Sequence, residues 1–267
     1  MSRTGEQHRS TLVIWQVALA FAMLLAWQWG AETGLLDPFF FSSPIEIGLR
    51  VGRWVQTGML WTHVSTTFTE AALSFTIGSL LGIVVGLTLA GLPMVAAILA
   101  PYIRVANALP RVILAPVFLL WFGLGIWSKV ALGVTVVFFV VFFNTFRGAR
   151  EVDRAIVDNA RMLGATQAQL VRHVIVPSAL TWIFSSLHVS IGLAIIAVVV
   201  GEYLGASRGI GYLIAQAEGT FDTTGVFAGV AVLAAGVLAV GGLVSRLERR
   251  LLRWKPEHAT SRSERFA

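Results

Sequence analysis

Cysteine is absent from the 267 residues, so disulfides, thiolate nucleophiles and sulfur-ligated metals are excluded from the start. Charge is nearly as scarce: Asp, Glu, Lys and Arg make up 13% of the chain, where a soluble domain carries about 25%. Lysine occurs only at Lys129 and Lys255. A phosphate-binding loop reads GxxxxGK[ST], and its lysine must reach the terminal phosphates. Lys129 follows Ser128 and Lys255 follows Trp254, so no nucleotide site and no resident cofactor is expected in this chain. The histidines His8, His63, His173, His188 and His258 are scattered, with no HExxH pair, and no GxSxG elbow occurs. A non-catalytic protein without a metal centre is the expectation.

What is abundant is apolar surface. Hydrophobic residues make up 56% of the chain and lie in long runs, the pattern of an all-α polytopic membrane protein. Six spans are predicted, at about residues 12–29, 64–91, 94–125, 129–146, 179–200 and 226–244. The first run invites a signal-peptide reading, but Trp27 and Trp29 stand where small residues precede a cleavage site, so an uncleaved span is expected. The third run is interrupted by Pro101, Pro110 and Pro116, and each half is shorter than the roughly 20 residues a crossing needs. One kinked or broken span is therefore predicted rather than two. Residues 45–61 read as a short amphipathic helix on the membrane surface, and the glycine-rich stretch 201–225 as a segment that dips back into the membrane. Ser74, Gly78, Gly82, Gly86 and Ala90 repeat every four residues, a small-residue face suited to close helix packing.

The net charge of +6 would suit nucleic acid, but its placement tells against that partner. With six spans, both termini, the stretch 151–177 and the basic tail 245–267 share one side, and that side carries 14 of the 20 Lys and Arg residues. Arg50, Arg53, Lys129 and Arg208 fall on the other side, and Arg104 and Arg111 within the third span. Positive charge favours the cytoplasm, so both termini and residues 151–177 are expected there.

That stretch, EVDRAIVDNARMLGATQAQLVRHVIVP, is polar without reading as a loose loop. Ile156, Val157, Ala160 and Leu163 recur at helical spacing, with Asp153, Arg154, Asp158 and Arg161 on the remaining face. Gly164 is placed to end this helix, Thr166 with Gln169 three residues later forms a capping box for a second, and Pro177 is expected to close that one. Two short helices hinged at a glycine and tethered to membrane spans make a docking element.

Asp158-Asn159-Ala160, then Gly164, then Val174-Ile175-Val176-Pro177 resembles the EAA loop of binding-protein-dependent ABC import permeases, E-A-A-x3-G-x9-I-x-L-P, with Asp and Asn in place of the first two letters. PRVILAPVFLLWFGLGIWSK, FFVVFFNTFRG, GIGYLI and LERRLLRW are similar to the nitrate/sulfonate/taurine branch of that family. The resemblance implies the type I importer (MetI-like) permease fold over a single domain, 1–267, in a bacterial inner membrane. It implies a second copy of the permease as a homodimer partner, two cytoplasmic ATPase subunits that carry ATP and Mg, and a periplasmic substrate-binding protein. Asp158, Asn159, Ala160, Arg161 and Gly164 would form the knob gripped by an ATPase, with Thr166, Gln169 and Pro177 shaping the next helix.

The expected cargo is a small sulfonate-, nitrate- or taurine-like anion. Many relatives carry arginine where Glu70 stands, glutamate where Arg104 stands and arginine where His188 stands, so an organic or heterocyclic, vitamin-precursor-like solute is the alternative. Polar groups at membrane depth face a bundle interior or a wet cavity. On that ground Arg104, Asn107, Arg111, Asn144, Ser186, His188, Ser190 and Glu202 are candidate pathway residues, unless they serve only to tie helices together. An ion-driven secondary transporter is a rival reading, although it has no use for a glycine-hinged docking segment.

Overall fold

The computed structural model describes residues 3–251; the part of the basic tail beyond them lies outside the described residues. The described residues are helical, with no strand. In order they form α1 (Arg3–Glu32), α2 (Pro38–Phe41), α3 (Pro44–Gln56), α4 (Met59–Gly91), α5 (Pro93–Ala108), a 3-10 turn at Arg111–Leu114, α6 (Ala115–Phe122) and α7 (Ile126–Arg150). There follow α8 (Arg154–Met162), α9 (Gln167–Leu170), a π turn at Val171–Ile175, α10 (Val176–Leu204), α11 (Ile210–Gly219) and α12 (Thr223–Leu251). Helices α1, α4, α7, α10 and α12 each contain a stretch long and apolar enough to cross a membrane.

The third predicted span is a broken one: α5 and the arm formed by Arg111–Phe122 meet at 87°. Pro110 lacks the N–H a continuing helix needs, and it disfavours helical geometry at Leu109, whose ψ is 130°. Helix packing shows that the bent pair makes a single crossing. Cβ atoms added to Gly78, Gly82 and Gly86 of α4 would stand 2.8, 2.9 and 2.9 Å from Val137, Val141 and Thr145 of α7. Both series ascend together, so α4 and α7 run parallel and the chain between them must return across the membrane once. Six crossings follow.

Those contacts also say what the four-residue repeat does. Without side chains at 78, 82 and 86, α4 lies directly on α7, and any larger residue would drive into it. On the other flank α7 packs antiparallel to α10: Gly148 abuts Trp182 near one end, and Gly201 abuts Lys129 near the other. Helices α4, α7 and α10 thus form the tight core, with Val137, Val141, Ala194 and Val198 buried at its centre.

The amphipathic helix near residue 45 ends at Gln56 rather than residue 61. Gly58, at φ +72°, turns the corner, and the second span starts at Met59. Ile47 and Trp54 of α3 pack with Leu213 of α11 and Ala228 of α12, and Trp27 of α1 meets Phe227 edge-on at 5.6 Å. The glycine-rich stretch between the last two spans is held here as helix α11. Arg50 of α3 forms a two-pronged ion pair with Asp222 just before α12, the longer prong at 3.2 Å.

Pro177 does not end the second docking helix. Helix α9 runs through the π turn into α10, giving a helical stretch from Ala168 to Leu204. A proline ring clashes with the carbonyl four residues back in a regular helix, and the wider π turn just before Pro177 takes up that clash without a break. The docking segment is thereby joined to its span by continuous helix.

Candidate functional site

At one end of the bundle, α8 and α9 carry the predicted docking residues. Asp153 caps α8 by accepting the Ala155 N–H at 2.9 Å. Gly164 sits at φ +85°, and the helix closes as a Schellman turn: Ala165 N–H reaches Ala160 O at 3.0 Å and Gly164 N–H reaches Arg161 O at 2.9 Å. The next helix starts with the expected capping box. Gln169 Oε1 accepts the Thr166 N–H at 2.8 Å, and Thr166 Oγ1 accepts the Gln169 N–H at 3.3 Å. Leu170, 2% exposed, anchors the elbow.

Asp158, Asn159, Arg161, Gly164, Thr166 and Gln169 are exposed at this elbow, Ala160 is half-buried, and Pro177 is exposed on the first turn of α10. Asp158 and Arg161 lie 3.8 Å apart on α8 and face solvent, a loose pair of little energetic weight. The apolar stripe that marked α8 as a helix is not buried. Ile156 is 53% exposed, and Met162 and Leu163, beside the glycine, are 86% and 89% exposed. Between α8 and α9 lies a cleft of about 280 Å³ lined by Ala160, Leu163, Gly164, Gln169 and His173. A rigid turn presenting apolar side chains beside a cleft has the form of a protein-docking knob.

The predicted pathway residues fall into separate groups. At the α5–α6 break, Arg111 Nη2 donates to Asn107 Oδ1 at 2.6 Å, and the guanidinium lies 5.2 Å from the Phe139 ring centre on α7. Arg104 is exposed on α5, its Nε donating to Ala100 O at 3.3 Å. Asn144 donates to Val140 O at 2.8 Å on its own helix. Ser186 and Ser190 are buried on one face of α10; Ser186 donates to Ile183 O at 2.8 Å, and Ser190 Oγ has no partner among the described residues. His188, two residues from each and so on the opposite face, lines a crevice against Val240, Gly241 and Val244 of α12. Arg104, Asn107 and Arg111 thus lie on the broken third span, the first two on α5 and Arg111 just past its bend, and the α10 residues are not brought to them.

Glu202 belongs to a third group, and the sequence gives no hint of its membership. Glu70, Lys129 and Glu202 are 2%, 1% and 1% exposed, near the end of the bundle opposite α8. Glu202 Oε1 accepts from Thr67 Oγ1 at 2.7 Å and Oε2 from the Gly211 N–H at 2.8 Å, while Thr67 Oγ1 accepts the Ile210 N–H at 2.8 Å. Glu70 lies close to Glu202, and its buried Oε2 has no hydrogen-bond partner among the described residues. Lys129 Nζ donates to Leu124 O at 2.7 Å and Gly125 O at 3.1 Å. Gly209 N–H donates to His63 Nδ1 at 3.0 Å, and that ring stacks on Tyr212. This knot fastens the start of α11 to α4 and α10.

A tight α4–α7–α10 core, a broken third span and a glycine-turned elbow between the fourth and fifth crossings define a membrane permease component. Residues 51–253 match the family described as binding-protein-dependent transport system inner membrane component, and the chain belongs to it. The chain is similar to SsuC of Bacillus subtilis, named for aliphatic sulfonates transport, at 32% identity over 89% of this chain and 86% of that protein. It is also similar to the formylaminopyrimidine transport permease protein ThiX of Halalkalibacterium halodurans (33%, covering 89% and 94%) and to the taurine transport system permease protein TauC of Escherichia coli (30%, covering 88% and 87%). Among solved structures, an amino acid ABC transporter chain superposes with a TM-score of 0.59 at 20% identity, covering 74% of this chain and 97% of that one. A chain of the inward-facing MetNI methionine ABC transporter gives 0.53 at 18% identity, covering 73% and 96%. These likenesses bear on the fold, the type I importer arrangement. The protein is a multi-pass inner-membrane permease of an ABC importer, and it is a transport rather than a catalytic component.

Proposed function

We propose that this permease moves a small sulfonate-, nitrate- or taurine-like anion from a periplasmic binding protein into the cytoplasm. It does so as a homodimer driven by two ATPase subunits docked on α8. The exposed Met162–Leu163 pair beside the positive-φ Gly164 carries the docking part of this reading, because an apolar knob facing water on a membrane protein wants a protein cover. ATP and Mg belong to the ATPases in this scheme. When they close, each carries a knob with it. The continuous helix from α9 into α10 passes that displacement to the core without a slack joint, and α7 follows through its packing on α10.

The cargo rests on relatives: SsuC and TauC are named for sulfonates and taurine, while ThiX, named for formylaminopyrimidine, favours the heterocyclic alternative. Arg104, Asn107 and Arg111 on the broken span are the chain's candidates for contact with a passing anion. The basic end bearing α8 is assigned to the cytoplasm. The test is ATP-dependent uptake into proteoliposomes holding the complete transporter, with taurine and a formylaminopyrimidine in competition. Competition by taurine alone supports the anion reading, and competition by the pyrimidine alone overturns it.

A further inference from the structure

Helix α5 is held off the end of α7 by a cavity of about 390 Å³. Its walls are apolar, with Leu89, Ile103, Phe142, Phe143 and Phe146 among them, and three guanidinium groups border it: Arg104 from α5, Arg147 and Arg150 from the last turn of α7. We propose that this wedge holds the headgroup of an anionic phospholipid, with an acyl chain lying on the phenylalanine wall.

The charges argue first. Ion pairs among the described residues are Arg50–Asp222 and Arg161–Asp158, so none of the three arginines is neutralised by them. Glu151 is the acidic residue at the cavity, which leaves an excess of two positive charges. Arg147 and Arg150 alone would be accounted for by the negative end of the α7 dipole. Arg104 is not: it stands on another helix, eleven residues in from Pro93, about 16 Å along its axis. An arginine within an apolar helix of a broken span needs a counter-charge or water. The Arg150 guanidinium lies 5.3 Å from the Phe146 ring centre, which holds the cation at the junction of polar mouth and apolar wall.

A small hydrophilic anion uses the arginines and leaves the phenylalanine wall wet. A lipid uses both, and basic pockets between spans on the cytoplasmic side recognise anionic headgroups. Cardiolipin, with two phosphates, matches the excess charge. The leaflet named here follows from the orientation proposed above, whereas binding itself does not depend on it.

The complete transporter is purified and reconstituted in phosphatidylcholine alone or in an equal mixture of phosphatidylcholine and cardiolipin, and retained lipid is read by native mass spectrometry. Cardiolipin is expected to be retained and phosphatidylcholine not. The double variant Arg147→Gln/Arg150→Gln should lose about thirtyfold in apparent affinity, while Arg53→Gln at the far end changes nothing. Co-purification of the ATPase and an unchanged melting temperature certify that the double variant is folded. Equal retention by the variant overturns the site, as does displacement of cardiolipin by a free alkyl sulfonate, which would give the cavity to a soluble anion. Either result leaves the orientation standing, because labelling from the two sides of the membrane tests that separately.

Discussion

Near one end of the bundle Glu70, Lys129 and Glu202 are withdrawn from solvent to 2%, 1% and 1% exposure; at the other, Met162 and Leu163 stand 86% and 89% exposed. The usual distribution is reversed at both. Burying ionisable groups costs several kcal/mol each unless partners repay it, so in the first region Thr67 and the Gly211 N–H take up Glu202 and the Leu124 and Gly125 carbonyls take up Lys129. Exposing apolar side chains next to a rigid turn costs solubility unless a second protein covers them. A fixed end and a docking end are what a lever needs, and the comparison predicts that perturbing the first harms stability while perturbing the second harms coupling.

The largest effect is expected at the knot. Glu202→Ala removes the acceptor of Thr67 Oγ1 and of the buried Gly211 N–H, and should destabilise the protein by about 1–3 kcal/mol for each, read as a lowered melting temperature in detergent. Gly82→Leu forces a side chain into Val141 and the α7 backbone, and should cost about 1–3 kcal/mol in the same assay. Gly164→Val belongs to the other class. A β-branched residue in the left-handed region costs about 1–2 kcal/mol locally, so the melting temperature moves little while permease-stimulated ATP hydrolysis is lost. Normal uptake by that variant would erase the contrast. Thr166→Ala removes the cap of α9, worth about 1 kcal/mol, and should weaken stimulation without abolishing it.

The smallest effect concerns pH. Burial pushes the Asp222 carboxyl up, but the Arg50 hydrogen bond, the Gly225 N–H and the charges of Arg50 and Arg53 outweigh it and hold it below the usual carboxylate range. Its contribution is therefore complete above about pH 4 and lost as the pH falls through its lowered pKa. Asp222→Asn should flatten that acid limb of the melting-temperature profile slightly, and an unchanged profile would remove Asp222 from the fastening of α3 to α12.

The elbow between α8 and α9 was legible because its signals are local: a glycine, a capping box and a helical repeat lie within one window, and the Schellman turn and the cap stand where they pointed. The break of the third span was legible for the same reason, since Pro110 marks it. The knot was not, because residues 70, 129 and 202 meet only through helix packing, and no spacing rule connects them. Pro177 misled because proline signals an end in isolation, whereas a π turn lets a helix continue through it. His188 looked like a neighbour of Ser186 and Ser190 in the sequence, yet an offset of two residues on a helix points the other way.

Because the chain has no cysteine, a single one introduced at Leu163 reports on the central claim without background. In the complete transporter, Leu163→Cys should cross-link to the ATPase subunit, and in intact cells it should resist a maleimide that cannot cross the membrane. Labelling from outside, or no cross-link to a second protein under any nucleotide condition, would contradict the account.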